Sequence, residues 1–117
     1  NMRFNLCPRP TKANWTYQDV KSSAYTTTFS VGQKAGVAAR ILSRYYTSHK
    51  VVATVYVFRN ADNSIVHTCF TEQRWGDMWN QGDGAFDIPS LPENSGSYKM
   101  DIYIDGALAY QTNIKIK

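Results

Sequence analysis

The sequence is short of most signals that announce a function. Its 117 residues hold two cysteines, four prolines and seven glycines. Two cysteines cannot build a disulfide-dense scaffold, and neither has a second Cys or a His at finger-like spacing, so a structural zinc site is not expected. No apolar run approaches the ~20 residues of a membrane-spanning helix, so no transmembrane segment is expected. No repeat and no low-complexity tract occurs, and no stretch carries a convincing helical period. Charge is sparse: 13 basic against nine acidic residues give a net +4. The basic residues are scattered, and the aromatics are not interleaved with a basic stripe, so a nucleic-acid partner is not expected.

Chemistry is equally thin. The histidines are His49 in a turn and His67 on a strand, and no Gly-x-Ser-x-Gly elbow or other nucleophile motif accompanies them. Asn60-x-Asp62-x-Ser64 has the alternating oxygens of a calcium loop, but Ile65 stands where the sharp-turn glycine belongs, and the segment reads as a hairpin turn. No cofactor and no metal site is expected. The chain reads as non-catalytic; a small hydrolase would need paired carboxylates drawn from Glu72, Asp77, Asp83, Asp87 and Glu93.

What is present is strand. The clearest stretch closes the chain: Tyr98, Met100, Ile102 and Ile104 alternate with Lys99, Asp101 and Tyr103, the period of a strand with one buried face. Asp105-Gly106 supplies a tight reversal, and Leu108, Tyr110, Ile114 and Ile116 return. A strict two-residue turn would set Leu108 and Tyr110 on the face of Tyr103. Pairing 104 with 108 and 102 with 110 gathers the apolar residues on one face, so a bulge or three-residue loop is expected within Asp105–Ala109. Tyr25–Val31 alternates cleanly, and Val37, Ala39 and Ile41 form the inner face of the next strand. Val51–Phe58 is apolar on both faces, as a central strand covered on both sides would be. Ile65–Thr71 runs back, residues 72–84 read as one long irregular loop, and Phe86 and Ile88 form a short strand. Residues 1–24 read as an extended arm or extra strand and residues 25–117 as the domain proper.

About seven short antiparallel strands with turns between them predict an all-β sandwich. Ser95-Gly96-Ser97-Tyr98 opens a penultimate strand as the tyrosine corner of an immunoglobulin-like domain does. With Phe29-Ser30-Val31-Gly32 and Ile104-Asp105-Gly106, these residues make positions 25–117 resemble the immunoglobulin-like Greek-key sandwiches of secreted and surface bacterial proteins. The resemblance implies a secreted or cell-surface location. It departs from antibody domains, since the cysteines do not fall on the two strands that pair there. The Asn-Pro-Thr-Thr-Gly loop of chagasin-like protease inhibitors, which share the fold, is absent.

An even cysteine pair in such a domain predicts a Cys7–Cys69 disulfide, closing a loop of about 60 residues and contributing ~4 kcal/mol. For binding, the expected contacts are Arg74, Trp75, Met78 and Trp79, aromatic and cationic anchors in the long 72–84 loop. They would engage a protein partner, or a glycan by stacking of Trp75 and Trp79 on sugar rings. The competing expectation has these tryptophans capping the sandwich over the outer face of Tyr56 and Phe58.

Overall fold

A computed structural model describes residues 2–42, 51–74 and 81–117. Among the described residues eight strands are formed: β1 (Met2–Pro8), β2 (Thr28–Phe29), β3 (Ala35–Leu42), β4 (Val51–Arg59), β5 (Ile65–Arg74), β6 (Gln81–Ile88), β7 (Gly96–Ile104) and β8 (Ala107–Ile116). They make a three-stranded sheet, β1-β3-β6, and a five-stranded sheet, β2-β8-β7-β4-β5. Every pairing is antiparallel except β2 with β8. This is an all-β immunoglobulin-like sandwich. Among the described residues the helical content is two 3-10 turns, Tyr17–Asp19 and Ser22–Ala24, and no helix is long and apolar enough to cross a membrane.

The core follows from alternation. Phe4, Leu6, Val37, Ala39, Phe86 and Ile88 face inward from the smaller sheet; Tyr56, Phe58, Met100, Ile102, Ile114 and Ile116 face them from the larger. Phe4 stacks on Tyr110 across the gap with ring centroids 5.3 Å apart. Tyr98 donates its hydroxyl hydrogen to the Asn94 carbonyl at 2.7 Å, which makes it the corner tyrosine. Tyr56 and Phe58 are inward residues, so the outer positions of β4 are Val55 and Val57.

The last hairpin keeps its two-residue turn. Ile104 pairs with Ala107, and Asp105 and Gly106 take φ of 50° and 85°. Tyr103 then pairs with Leu108, and Ile102 with Tyr110, so the extra residue is Ala109. The bulge falls inside the expected span, but it acts after Leu108 rather than before it. Leu108 is therefore outward, and only the residues beyond Ala109 return to the core.

Two strands differ from expectation for one reason. Residues 81–84 are not loop but the start of β6, in register with Ala39–Leu42, and Glu72–Arg74 extend β5 against Val51–Ala53. Local propensity is poor there, and cross-strand pairing overrides it. Conversely, Tyr25–Val31 contributes only Thr28–Phe29 as strand.

Residues 9–27 lie on the outer face of the small sheet. That face is floored by Gly36, Ala38 and Ala85, and Trp15 sits on it: a β-carbon at Gly36 would come within 2.6 Å of the indole. The indole N–H donates to Asp87 at 2.8 Å, and Arg9 pairs with the same carboxylate at 2.8 Å. Cys7 lies beneath, fully buried with Trp15 and Val20.

This placement corrects the disulfide. Cys7 faces away from the sandwich interior, whereas Cys69, paired with Tyr56, faces into it and sends its thiol to the Ser90 carbonyl at 3.3 Å. The small sheet stands between them, and both cysteines are free. Facing sheets pack about 10 Å apart, beyond the ~6 Å Cα span of a disulfide.

Two expectations follow. Tyr98→Phe removes a satisfied hydrogen bond and should cost ~1 kcal/mol in urea unfolding. Tyr56→Phe should cost nothing or stabilise, because the buried Tyr56 hydroxyl has no hydrogen-bonding partner among the described residues. Burial pushes the Cys7 thiol up to about 11 and raises that of Cys69. Under non-reducing conditions Ellman's reagent should titrate both thiols after denaturation, and in the native state Cys69 should react well before Cys7. Trp15→Ala should accelerate the Cys7 reaction; an absence of titratable thiol would restore the disulfide.

Candidate interaction surface

The outer face of the five-stranded sheet carries a row of apolar residues running across the strands. Phe70 of β5 pairs with Val55 of β4, Val55 with Tyr103 of β7, and Tyr103 with Leu108 of β8. The two ends of the row are the most open, with Phe70 57% and Leu108 50% exposed. Val55 and Tyr103 are half-buried. The Asp105-Gly106 turn sets Leu108 opposite Tyr103, and the Ala109 bulge lets Tyr110 turn back into the core without drawing Leu108 with it.

The adjoining row fixes this face. Thr68, Val57, Asp101 and Gln111 lie in register beside it. Asp101 is a carboxylate only 3% exposed, and it is held by Arg59 at 3.3 Å and by the Gln111 amide at 2.9 Å. A buried charge is tolerated when it is paired and hydrogen-bonded. The clamp ties β4, β7 and β8 together on the side of the sheet away from the core. The Asp105 carboxylate accepts from the Ala53 backbone N–H at 3.0 Å, and the Asp105 N–H donates to the Ala53 carbonyl at 2.8 Å, docking the hairpin tip onto β4. The apolar row thus stands on a braced surface.

Of the contacts expected from sequence, Arg74 closes β5 opposite Val51. Trp75, Met78 and Trp79 lie outside the described residues, as do His49 and Asp77. β5 ends at Arg74 in the five-stranded sheet, and β6 begins at Gln81 in the other.

The remaining carboxylates do not converge. Asp83 pairs with Arg40 at 2.8 Å and accepts from Gln18 at 3.2 Å; Asp87 holds Arg9 and Trp15. Both lie on the outer face of the small sheet, where they fasten the arm of residues 9–27, and Arg40 lies over the Tyr17 ring at 4.6 Å. Glu72 stands on the other sheet, paired with Ala53, and Glu93 in the connection before β7. Among the described residues no group of three or more His, Cys, Asp or Glu could hold a metal ion. His67 is half-buried, with Nε2 2.8 Å from the Ser90 hydroxyl and its ring 5.5 Å from Phe58. The cleft beside it, about 260 Å³, is lined by Val66, His67, Pro92, Glu93, Asn94 and Tyr98.

Sequence reasoning passed over Phe70, Val55, Tyr103 and Leu108. The available signal was the apolar second face of β4, which pointed to a covering layer. Val57 is 8% exposed, but the flanking Phe70 and Leu108 are open, so among the described residues no layer covers this face.

No protein-family model matches the chain, and no curated protein sequence does either. Solved structures similar to it include an immunoglobulin-like protein from Pseudomonas aeruginosa, 9% identical over 100% of this chain and 92% of that one, with a TM-score of 0.42. Another is the alkylpurine DNA glycosylase AlkC of Pseudomonas fluorescens, bound to DNA containing an abasic-site analogue; it is 8% identical over 78% of this chain, with a TM-score of 0.44. The match spans only 27% of the glycosylase's length. At these identities the likeness is one of fold, and the strand order and register described above carry the assignment of an immunoglobulin-like sandwich.

Proposed function

We propose that the chain is a non-catalytic binding module, secreted or displayed at the cell surface, that recognises a protein partner through the outer face of its five-stranded sheet. The observation that carries this reading is the exposed row Phe70–Val55–Tyr103–Leu108 on a braced sheet. Large apolar side chains aligned in register and left open to water mark an interaction site more often than a monomer surface. Their flat, aromatic and aliphatic character suits a protein surface. Arg74 belongs to the same strand as Phe70. The extracellular placement rests on the resemblance of residues 25–117 to bacterial surface sandwiches and draws nothing from the cysteines, which are unpaired.

The test is affinity capture with the immobilised domain, wild type against a Phe70→Glu, Leu108→Glu double variant, with a glycan array run in parallel. Because both side chains are exposed, the melting temperature should change little, while partner capture should fall by roughly a hundredfold, as for loss of two interface anchors. Capture unaffected by the double variant would move the site elsewhere, and a glycan signal lost on Trp75→Ala and Trp79→Ala would replace the protein partner with a carbohydrate.

A further inference from the structure

The sandwich has strand edges that must be kept from pairing with other chains. On the small sheet, the free side of β1 is capped where the Thr26 N–H donates to the Leu6 carbonyl at 2.9 Å. Pro8 ends that strand and Pro10 follows it. The far edge, β6, carries the charged residues Asp83 and Asp87 and runs directly into Pro89. On the large sheet, β2 covers only Lys115 and Ile116 of β8, and the rest of β8 is interrupted by the Ala109 bulge, which spoils it as a pairing edge. The edge β5 is different. It is ten residues long, Ile65–Arg74, and contains no proline and no lysine. It pairs with β4 on one side, and no described backbone group hydrogen-bonds to its other side. Alternate N–H and C=O groups along it point outward, and among the described residues no strand meets them.

We propose that β5 is the dimer edge of this protein: two copies pair antiparallel through it, and the two five-stranded sheets join into one continuous sheet across a twofold axis. The inference rests on the protein-partner reading above and places a second copy of the chain at the β5 border of that surface.

Three observations select a second copy. An antiparallel edge is self-complementary under a twofold axis, so one strand supplies both halves of the ladder. The charge also fits. The chain as a whole carries +4, which opposes self-association, yet β5 holds one acidic residue, Glu72, and one basic residue, Arg74, so copies meeting there bring no net charge together. Finally, the register is chosen by the apolar row. A twofold axis normal to the sheet keeps outward residues outward. Phe70 can therefore stand opposite Phe70 of the partner subunit, with Thr68 opposite Glu72 of the partner subunit. Facing aromatics on neighbouring strands lie within about 5.5 Å at Cβ and stabilise the pair. The row that ends at an exposed Phe70 in one copy would then run unbroken through the second.

The experiment is sedimentation velocity on the full chain from low micromolar to sub-millimolar concentration, reduced so that the free thiols cannot cross-link. The expected result is a rise towards twice the monomer mass. Phe70→Lys, which places a solvated charge at the axis, should raise the dimer Kd by tenfold or more, roughly the loss of one central anchor, with an unchanged circular dichroism spectrum. Thr68→Lys, on the same exposed face, is the second variant. In a Cys69→Ser background, Phe70→Cys should form a disulfide-linked dimer under mild oxidation. A monomer at every concentration, or a dimer that both lysine variants leave intact, would overturn the inference. If the protein is monomeric while the Phe70→Glu, Leu108→Glu variant loses partner capture, the second copy is refuted and the binding face survives. If that variant also captures normally, both readings fail.

Discussion

The register of β4 against β7 is the constraint on which the rest of the sandwich depends. Tyr56 opposes Ile102 and Phe58 opposes Met100, all four at or near zero exposure. Because strand side chains alternate with period two, this pairing commits Val55, Val57, Tyr103 and Asp101 to the opposite face. β5 is placed by its ladder to β4, and β8 by its ladder to β7. A slip of one residue between β4 and β7 would bring the Asp101 carboxylate into the core and expose Met100 and Ile102. The core and the candidate interaction surface are therefore two consequences of one register.

The features legible in the sequence share a property: each is specified by residues close together in the chain. The alternation from Tyr98 to Ile104, the Asp105-Gly106 turn and the Gly96–Tyr98 corner are local, and all stand in the structure where the residues indicated. What escaped was non-local. Gln81–Gly84 has poor strand propensity and becomes strand because β3 lies beside it. Tyr25–Val31 alternates well, yet only Thr28 and Phe29 form strand, beside β8. An even cysteine pair in a small β domain suggests a bridge between Cys7 and Cys69; the sheet between them is invisible without topology. The surface row escaped for the same reason: Phe70, Val55, Tyr103 and Leu108 come from four strands, and only the ladders bring them together. Arg74 was visible as a loop cation and is the last residue of a strand.

The two sheets are finished in opposite ways. The outer face of the small sheet has a floor of Gly36, Ala38 and Ala85, shallow enough for Trp15 to lie flat, and two Arg–Asp pairs pin the residues around it. The outer face of the large sheet has bulky residues and no described cover. The charged groups on it, Asp101 and Arg59, are turned on each other. One face is sealed by the chain's own arm, and the other leaves its apolar surface available for association.

The parallel pairing of β2 with β8 gives the domain a mechanical character. Lys115 and Lys117 donate backbone N–H groups to Thr27 and Phe29, and Val31 donates back to Lys117. β2 and β8 run in the same direction, so tension that draws β2 towards its own start and β8 towards its own end slides the two past each other. The bonds between them are then loaded together along the strand axes, not opened one after another as in a peeled antiparallel hairpin. A domain built this way resists being pulled lengthwise at that seam.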